Sequence, residues 1–264
     1  MTLVVLVLLG LLIGAVLGGL GGGGAILTVP ALVYVVGQSA SDATTSSLVI
    51  VGATAGFGVL PYLKSKRVRW GTGLTFGIVG LPAAWLGTLL NRRVDENVLL
   101  LAFSVLMVVA ALAMIGVVTP GGDDDDEDED AANEHDDEPR KPSRMAITAT
   151  ALAVGLLTGF FGVGGGFVVV PALVLVLRLP IQLAVGTSLV IVALNSATSL
   201  AARIGAANFD WGIIVPFTLA AMIATFLGKR VADRLPATQL KQGFAFLLIL
   251  VAAYTAWQSA TGLL

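Results

Sequence analysis

The chain has 264 residues, of which 56% are hydrophobic and 12% charged, and it has no cysteine. A soluble domain carries about 25% charged residues. Half that share, with a mean hydropathy of +0.93, indicates an all-α, multi-pass integral membrane protein and excludes a soluble enzyme, a nucleic-acid-binding module and a disulfide scaffold. The net charge of −2 joins two opposed parts: residues 123–138 hold 12 of the 17 acids, while the other five (Asp42, Asp95, Glu96, Asp210, Asp233) stand against all 15 Lys and Arg.

The apolar runs, in chain order, are 3–20, 25–36, 42–62, 71–90 and 97–118, then 145–162, 166–177, 181–203, 211–228 and 239–260. Run 3–20 lacks the basic n-region and the cleavage site of an export signal, so it is expected to stay in the mature fold. The second run of each set is short, and at 1.5 Å per residue it covers only about 18 Å. Three segments follow: a first membrane repeat (1–118), an acidic linker (119–144) that is expected to be disordered, and a second membrane repeat (145–264).

The two sets are homologous. A shift of 141 lays residues 14–107 on 155–248 without a gap. Gly14, Gly18, Gly21, Gly23 and Gly24 then fall on Gly155, Gly159, Gly162, Gly164 and Gly165. Pro30-Ala31-Leu32 falls on Pro171-Ala172-Leu173, Ser47-Leu48-Val49-Ile50-Val51 on Ser188-Leu189-Val190-Ile191-Val192, and Trp70-Gly71 on Trp211-Gly212.

Basic residues choose between repeat orientations. If the short runs cross, giving inverted repeats of five helices, one side collects Lys64, Lys66, Arg67, Arg69, Arg140, Lys141, Arg144, Arg178, Lys229, Arg230, Arg234 and Lys241. The other side has Arg92, Arg93 and Arg203. If they dip in and return, giving four crossings and parallel repeats, the split is near even. The positive-inside rule favours inversion, and both schemes put linker 119–144 in the cytoplasm of a protein of the cell membrane.

The main functional signal is Gly21-Gly22-Gly23-Gly24 and its mate Gly162-Val163-Gly164-Gly165-Gly166. Each glycine in a helix costs about 1 kcal/mol relative to alanine, so these runs predict breaks between apolar segments. A break at membrane depth is tolerated where it is buried in protein or lines a cavity. The N–H groups of a following helix start can bind an anion; tight packing or a hinge is the competing reading. Neither run continues into Gly-Lys-Ser/Thr, so neither is a nucleotide loop. Pro30 and Pro171, six residues on, start or kink a helix. Ser47 and Ser188 are the best-placed hydroxyls for an oxyanion. Asn195 is a costly polar group in an apolar run and needs a partner or a cavity. The candidate substrate-binding residues are therefore Gly21, Gly22, Gly23, Gly24, Ser47, Gly162, Gly164, Gly165, Gly166, Ser188 and Asn195.

The other features have plain structural accounts. Gly10, Gly14 and Gly18 match Ala151, Gly155 and Gly159 as a close-packing face. Asp42 and Asp210 are expected to cap helices or favour their dipoles, Trp70 and Trp211 to anchor at the interface, and Arg203 to snorkel. His135 sits solvated among acids. Neither catalytic residues nor a metal or cofactor site is expected.

The glycine, proline and Thr/Ser-Ser-Leu stretches resemble the sulfite exporter TauE/SafE family of small membrane permeases. The stretches are Gly18-x-x-Gly21-x-Gly23-Gly24 with Pro30-Ala31-Leu32, Gly159-Phe160-Phe161-Gly162-Val163-Gly164-Gly165-Gly166 with Pro171-Ala172-Leu173, and residues 45–48 and 187–189. The resemblance covers both repeats and omits the acidic linker. It implies secondary transport of sulfur-containing oxyanions, such as sulfite, sulfoacetate or taurine. The expected partners are a small anionic substrate and the lipid bilayer, with no nucleic acid; a homo-oligomer stays open. An anion channel is the alternative, and a membrane scaffold acting through the acidic linker a further one.

Overall fold

The computed structural model describes residues 2–91, 96–116, 144–161, 166–201 and 209–261, and every regular element among them is helical. The first half contributes α1 (Thr2–Leu20), α2 (Gly23–Pro30), α3 (Ala40–Lys64), α4 (Trp70–Asn91) and α5 (Glu96–Met114). The second contributes α6 (Arg144–Phe161), α7 (Gly166–Pro171), α8 (Ile181–Ala201), α9 (Trp211–Ala232) and α10 (Ala237–Thr261). The element order is the same in both halves, and α4 falls on α9 end to end at the shift of 141. Five described helices (α1, α3, α8, α9 and α10) are long and apolar enough to cross a membrane. The acidic run, His135, Arg92, Arg93, Asp95 and Arg203 lie outside the described residues.

The prolines do something other than start or kink a helix. α2 runs on into a π-helical turn at Ala31–Val35, and α7 into one at Ala172–Val176. Proline has no N–H to give to the residue four back. The ladder resumes after it with wider spacing: Val36 N–H donates to Ala31 O at 3.2 Å, and Leu177 N–H to Ala172 O at 3.3 Å. Such π turns cluster at functional sites.

Local capping holds the helix starts. Ser39 is the N-cap of α3: its hydroxyl accepts from Asp42 N–H at 3.1 Å and donates to Asp42 Oδ2 at 2.7 Å. Asp42 therefore braces the cap from the first turn. Asp210 caps α9 itself, accepting from Gly212 N–H at 3.0 Å. Trp70 and Trp211, at the starts of α4 and α9, are about half exposed, as interfacial anchors should be.

Neighbour contacts give the helix directions. Gly10, Gly14 and Gly18 of α1 lie in order against Phe217, Ala221 and Thr225 of α9, so α1 and α9 run parallel. Gly73 and Gly77 of α4 lie against Thr187–Val190 and Leu194 of α8, again parallel. Gly52 and Gly58 of α3 face Ser196 and Leu189 of α8 in reversed order, so α3 and α8 are antiparallel. α3 and its repeat mate α8 therefore point opposite ways, which is consistent with inverted halves. α2 folds back on α1: a Cβ on Gly24 would lie 2.6 Å from Leu17 Cβ.

The halves are also interlaced. α1 packs most extensively on α9, and α6 on α4, each with a helix of the other half. The pairing repeats at residue level: Gly14 rests on the Ala221 backbone, and Gly155 rests on Gly80, the residues 141 away from each. Lipid tails match the apolarity of these helices, so close backbone packing and shared polar bonds hold them together. Thr225 Oγ supplies one such bond, 2.8 Å from Ala221 O and 3.1 Å from Gly14 O across the seam. A Cβ on Gly14 would overlap the Ala221 backbone, which cannot yield as a side chain can. Gly14→Leu is expected to cost more than the roughly 1–3 kcal/mol of ordinary overpacking. Gel filtration and thermal melting in detergent should show no monodisperse, cooperatively melting protein.

Candidate functional site

The first break meets the start of α7. Gly21 has φ +70°, a left-handed conformation that turns the chain between α1 and α2. Gly22 then packs against Gly166 at the start of α7: a Cβ on Gly166 would meet Gly22 O at 2.7 Å and Gly22 Cα at 3.0 Å. Only glycine at both positions allows the two backbones to touch. Gly23 faces Phe244 and Leu247 of α10. All five residues, Gly21–Gly24 and Gly166, are buried.

Ser188 joins the first break to the second half. Its hydroxyl donates to Val185 O at 2.8 Å and accepts from Gly22 N–H at 3.4 Å. Gly24 N–H reaches Gly21 O, also at 3.4 Å. Amide hydrogen bonds usually span about 2.7–3.2 Å, so both break amides are held loosely and a stronger acceptor can compete for them. Ser47, the mate of Ser188, makes the same internal bond, its hydroxyl donating to Thr44 O at 2.7 Å. Gly162, Gly164 and Gly165 lie outside the described residues. Asn195 is half-buried on α8, seven residues from Ser188 and on the same face. Ser188→Ala removes the acceptor for the buried Gly22 N–H and is expected to cost about 1 kcal/mol, read as a lower melting temperature.

Two further features carry no motif in the sequence. Thr54 is 2% exposed, and its hydroxyl has no hydrogen-bond partner among the described residues. It is the repeat mate of Asn195 and lies seven residues from Ser47, so the 141 shift is the signal that marks it. The second is a charged cluster above the first break. Arg67 Nη1 and Lys229 Nζ share the Asp233 carboxylate, at 2.6 Å and 2.5 Å. Lys229 is buried, and its ammonium stands 5.1 Å from the centre of the Tyr62 ring. Tyr62, buried in turn, donates its hydroxyl to Gly18 O at 2.7 Å. No group of three His, Asp or Glu that could hold a metal occurs among the described residues.

The sequence model of the family described as "Sulfite exporter TauE/SafE" matches residues 6–255. The chain belongs to this family. A probable membrane transporter protein of Xylella fastidiosa (strain 9a5c) is 33% identical over 263 residues, covering 98% of this chain and 96% of the relative. Another from Bacillus subtilis is 28% identical over 262 residues, with 95% and 96% covered. No solved structure shows a significant match. Family membership and the apolar helices together make the protein a multi-pass membrane transporter.

Proposed function

We propose that the protein is a secondary transporter of small sulfur-containing oxyanions, which it binds where the two glycine breaks meet. The observation that carries this reading is the contact of Gly22 with Gly166, with Ser188 reaching across to the Gly22 amide. The anion replaces the Ser188 hydroxyl as acceptor for the break amides and takes a hydrogen bond from it. Gly21–Gly24 and Ser188 form one half of the site, with Gly166 beside it; the repeat assigns Gly162, Gly164, Gly165 and Ser47 to the other half. Asn195 and Thr54 add polar contacts two turns further along α8 and α3. Backbone donors suit a tetrahedral or pyramidal oxyanion because they supply directed hydrogen bonds without a fixed countercharge.

The interlaced packing supports a division into two moving bodies. α1, α2, α3 and α9 form one, and α6, α7, α8 and α4 the other. The breaks and the α3–α8 crossing lie between them, so rocking at that crossing exposes the breaks to alternate sides. The end carrying loop 65–69 and the α9–α10 connection is the basic one and faces the cytoplasm of a cell-membrane protein. The test is uptake of sulfite, sulfoacetate and taurine into proteoliposomes, with chloride and phosphate as controls. Saturable uptake of one sulfur compound, with counterflow, is the expected result. Non-saturating flux that extends to chloride identifies a channel instead, and no flux from folded protein removes the transport of these substrates.

A further inference from the structure

We propose that Lys229 selects the anion at the basic-end entrance to the first glycine break, with Asp233 as an internal competitor that the anion displaces. The inference rests on the reading of the breaks as the substrate site. Two cations, Arg67 and Lys229, share one carboxylate, so the cluster holds a surplus positive charge. Lys229 is 7% exposed. An ammonium has three donors, and among the described residues Asp233 is the one hydrogen-bonding partner of this one. Its other neighbour is the face of Tyr62, which stabilises a cation but accepts no conventional hydrogen bond. Such a group is poised to take a second anionic partner.

Its position fits an entrance. Gly228, the residue before Lys229, lies on the Ala15 carbonyl of α1, and Gly19 of α1 lies on Gly228. Tyr62 spans from Lys229 to the Gly18 carbonyl, three residues short of Gly21, and its ring edge also meets Gly186, two residues before Ser188. Tyr62 thus connects Lys229 to residues three positions from Gly21 and two from Ser188. The repeat does not impose this charge: residue 88, the mate of Lys229, is threonine. The cation therefore marks one end of the pathway. Asp233 is half-exposed at the end of α9 and also ties loop 65–69 through Arg67. An oxyanion that takes Lys229 from Asp233 loosens that tie, which couples occupancy to opening at this end.

The test compares Lys229→Gln, Lys229→Arg and Asp233→Asn, with sulfite as the probe. Concentration-dependent uptake is measured in proteoliposomes and equilibrium binding by calorimetry in detergent. Each variant is first checked for a monodisperse gel-filtration peak. Lys229→Gln is expected to raise KM and Kd about tenfold, the loss of one charge–charge contact, and Lys229→Arg to restore most of the affinity. Asp233→Asn frees Lys229 and is expected to lower both constants. A purely structural cluster predicts the opposite sign for Asp233→Asn, because removing either partner would then weaken the site. Shifts of the same sign in Lys229→Gln and Asp233→Asn, or unchanged constants in folded Lys229→Gln, overturn the proposal. If the wild type binds sulfite without transporting it, and Kd moves with these opposite signs, the selection role stands and the transport reading falls. Absence of sulfite binding to the wild type overturns the selection role, whereas the transport reading falls only if sulfoacetate and taurine uptake is absent too.

Discussion

A disulfide between Gly52→Cys on α3 and Ser196→Cys on α8 is expected to reduce transport to the level of protein-free liposomes, with recovery on reduction. One between Gly19→Cys on α1 and Ala232→Cys on α9 is expected to leave most of the flux. Both pairs are reachable. A Cβ on Gly52 would lie 2.9 Å from Ser196 Cβ, and one on Gly19 would lie 4.0 Å from Ala232 Cβ. Disulfides hold their Cβ atoms about 3.5–4.5 Å apart, so the first pair needs the helices to part by only about 0.6 Å. The chain has no native cysteine, so no background pairing interferes. The α3–α8 bridge spans the two proposed bodies and the α1–α9 bridge stays inside one, although both join the first half of the sequence to the second. If the halves moved as separate units, both bridges would arrest transport. Radiolabelled uptake before and after dithiothreitol separates the two schemes.

The second large effect is expected at Gly22. Its Cβ would land on the Gly166 backbone, and the Gly22–Gly166 touch is what brings the first break to the start of α7. Gly22→Leu is expected to abolish transport and folded yield together. Gly22→Ala should cost at least about 3 kcal/mol, the upper end of ordinary overpacking, and lower the transport rate of the protein that does fold. Gly56 on α3 is the control. A Cβ there meets nothing within 4 Å, so Gly56→Ala should stabilise its helix by up to about 1 kcal/mol and leave transport intact. Melting temperature and initial uptake rate, measured on the same preparations, decide this. Normal transport by Gly22→Leu would remove the breaks from the substrate site.

The helices were legible because apolar runs longer than a bilayer half leave little choice of structure. The repeat was legible because Gly, Pro and Trp stand out against an apolar background, and the register from Trp70 to Trp211 carries directly into α4 and α9. The inversion followed from where Lys and Arg fall and agrees with the antiparallel α3–α8 contact. What the sequence did not reveal is partner choice. Gly10, Gly14 and Gly18 announce a close approach, but small residues say only how near a neighbour comes, not which helix it is. The widened turns after Pro30 and Pro171 are not legible in the sequence, because proline shows that a bond is lost without showing how the ladder resumes. Lys229 reads as a loop cation in a basic patch, and only the fold sets its ammonium over the Tyr62 ring. Ser188 stands out in the sequence by its repeat position; its bond to Gly22 crosses 166 residues and has no local trace.

The exchange of α1 and α6 between halves bears on how the chain is made. As α1 enters the bilayer, its packing surface, α9, lies some two hundred residues downstream and is not yet synthesised. During that interval the glycine stripe faces lipid or the insertion machinery. α4 likewise waits for α6, across the acidic run. The polypeptide thus assembles around its ends: no compact intermediate made of the first half alone satisfies its own seams, and native packing begins only once α9 has entered. Contacts this distant in sequence slow folding, so biogenesis rests on keeping early helices from pairing wrongly. The gap between helix insertion and native packing is built into the order in which the chain is synthesised.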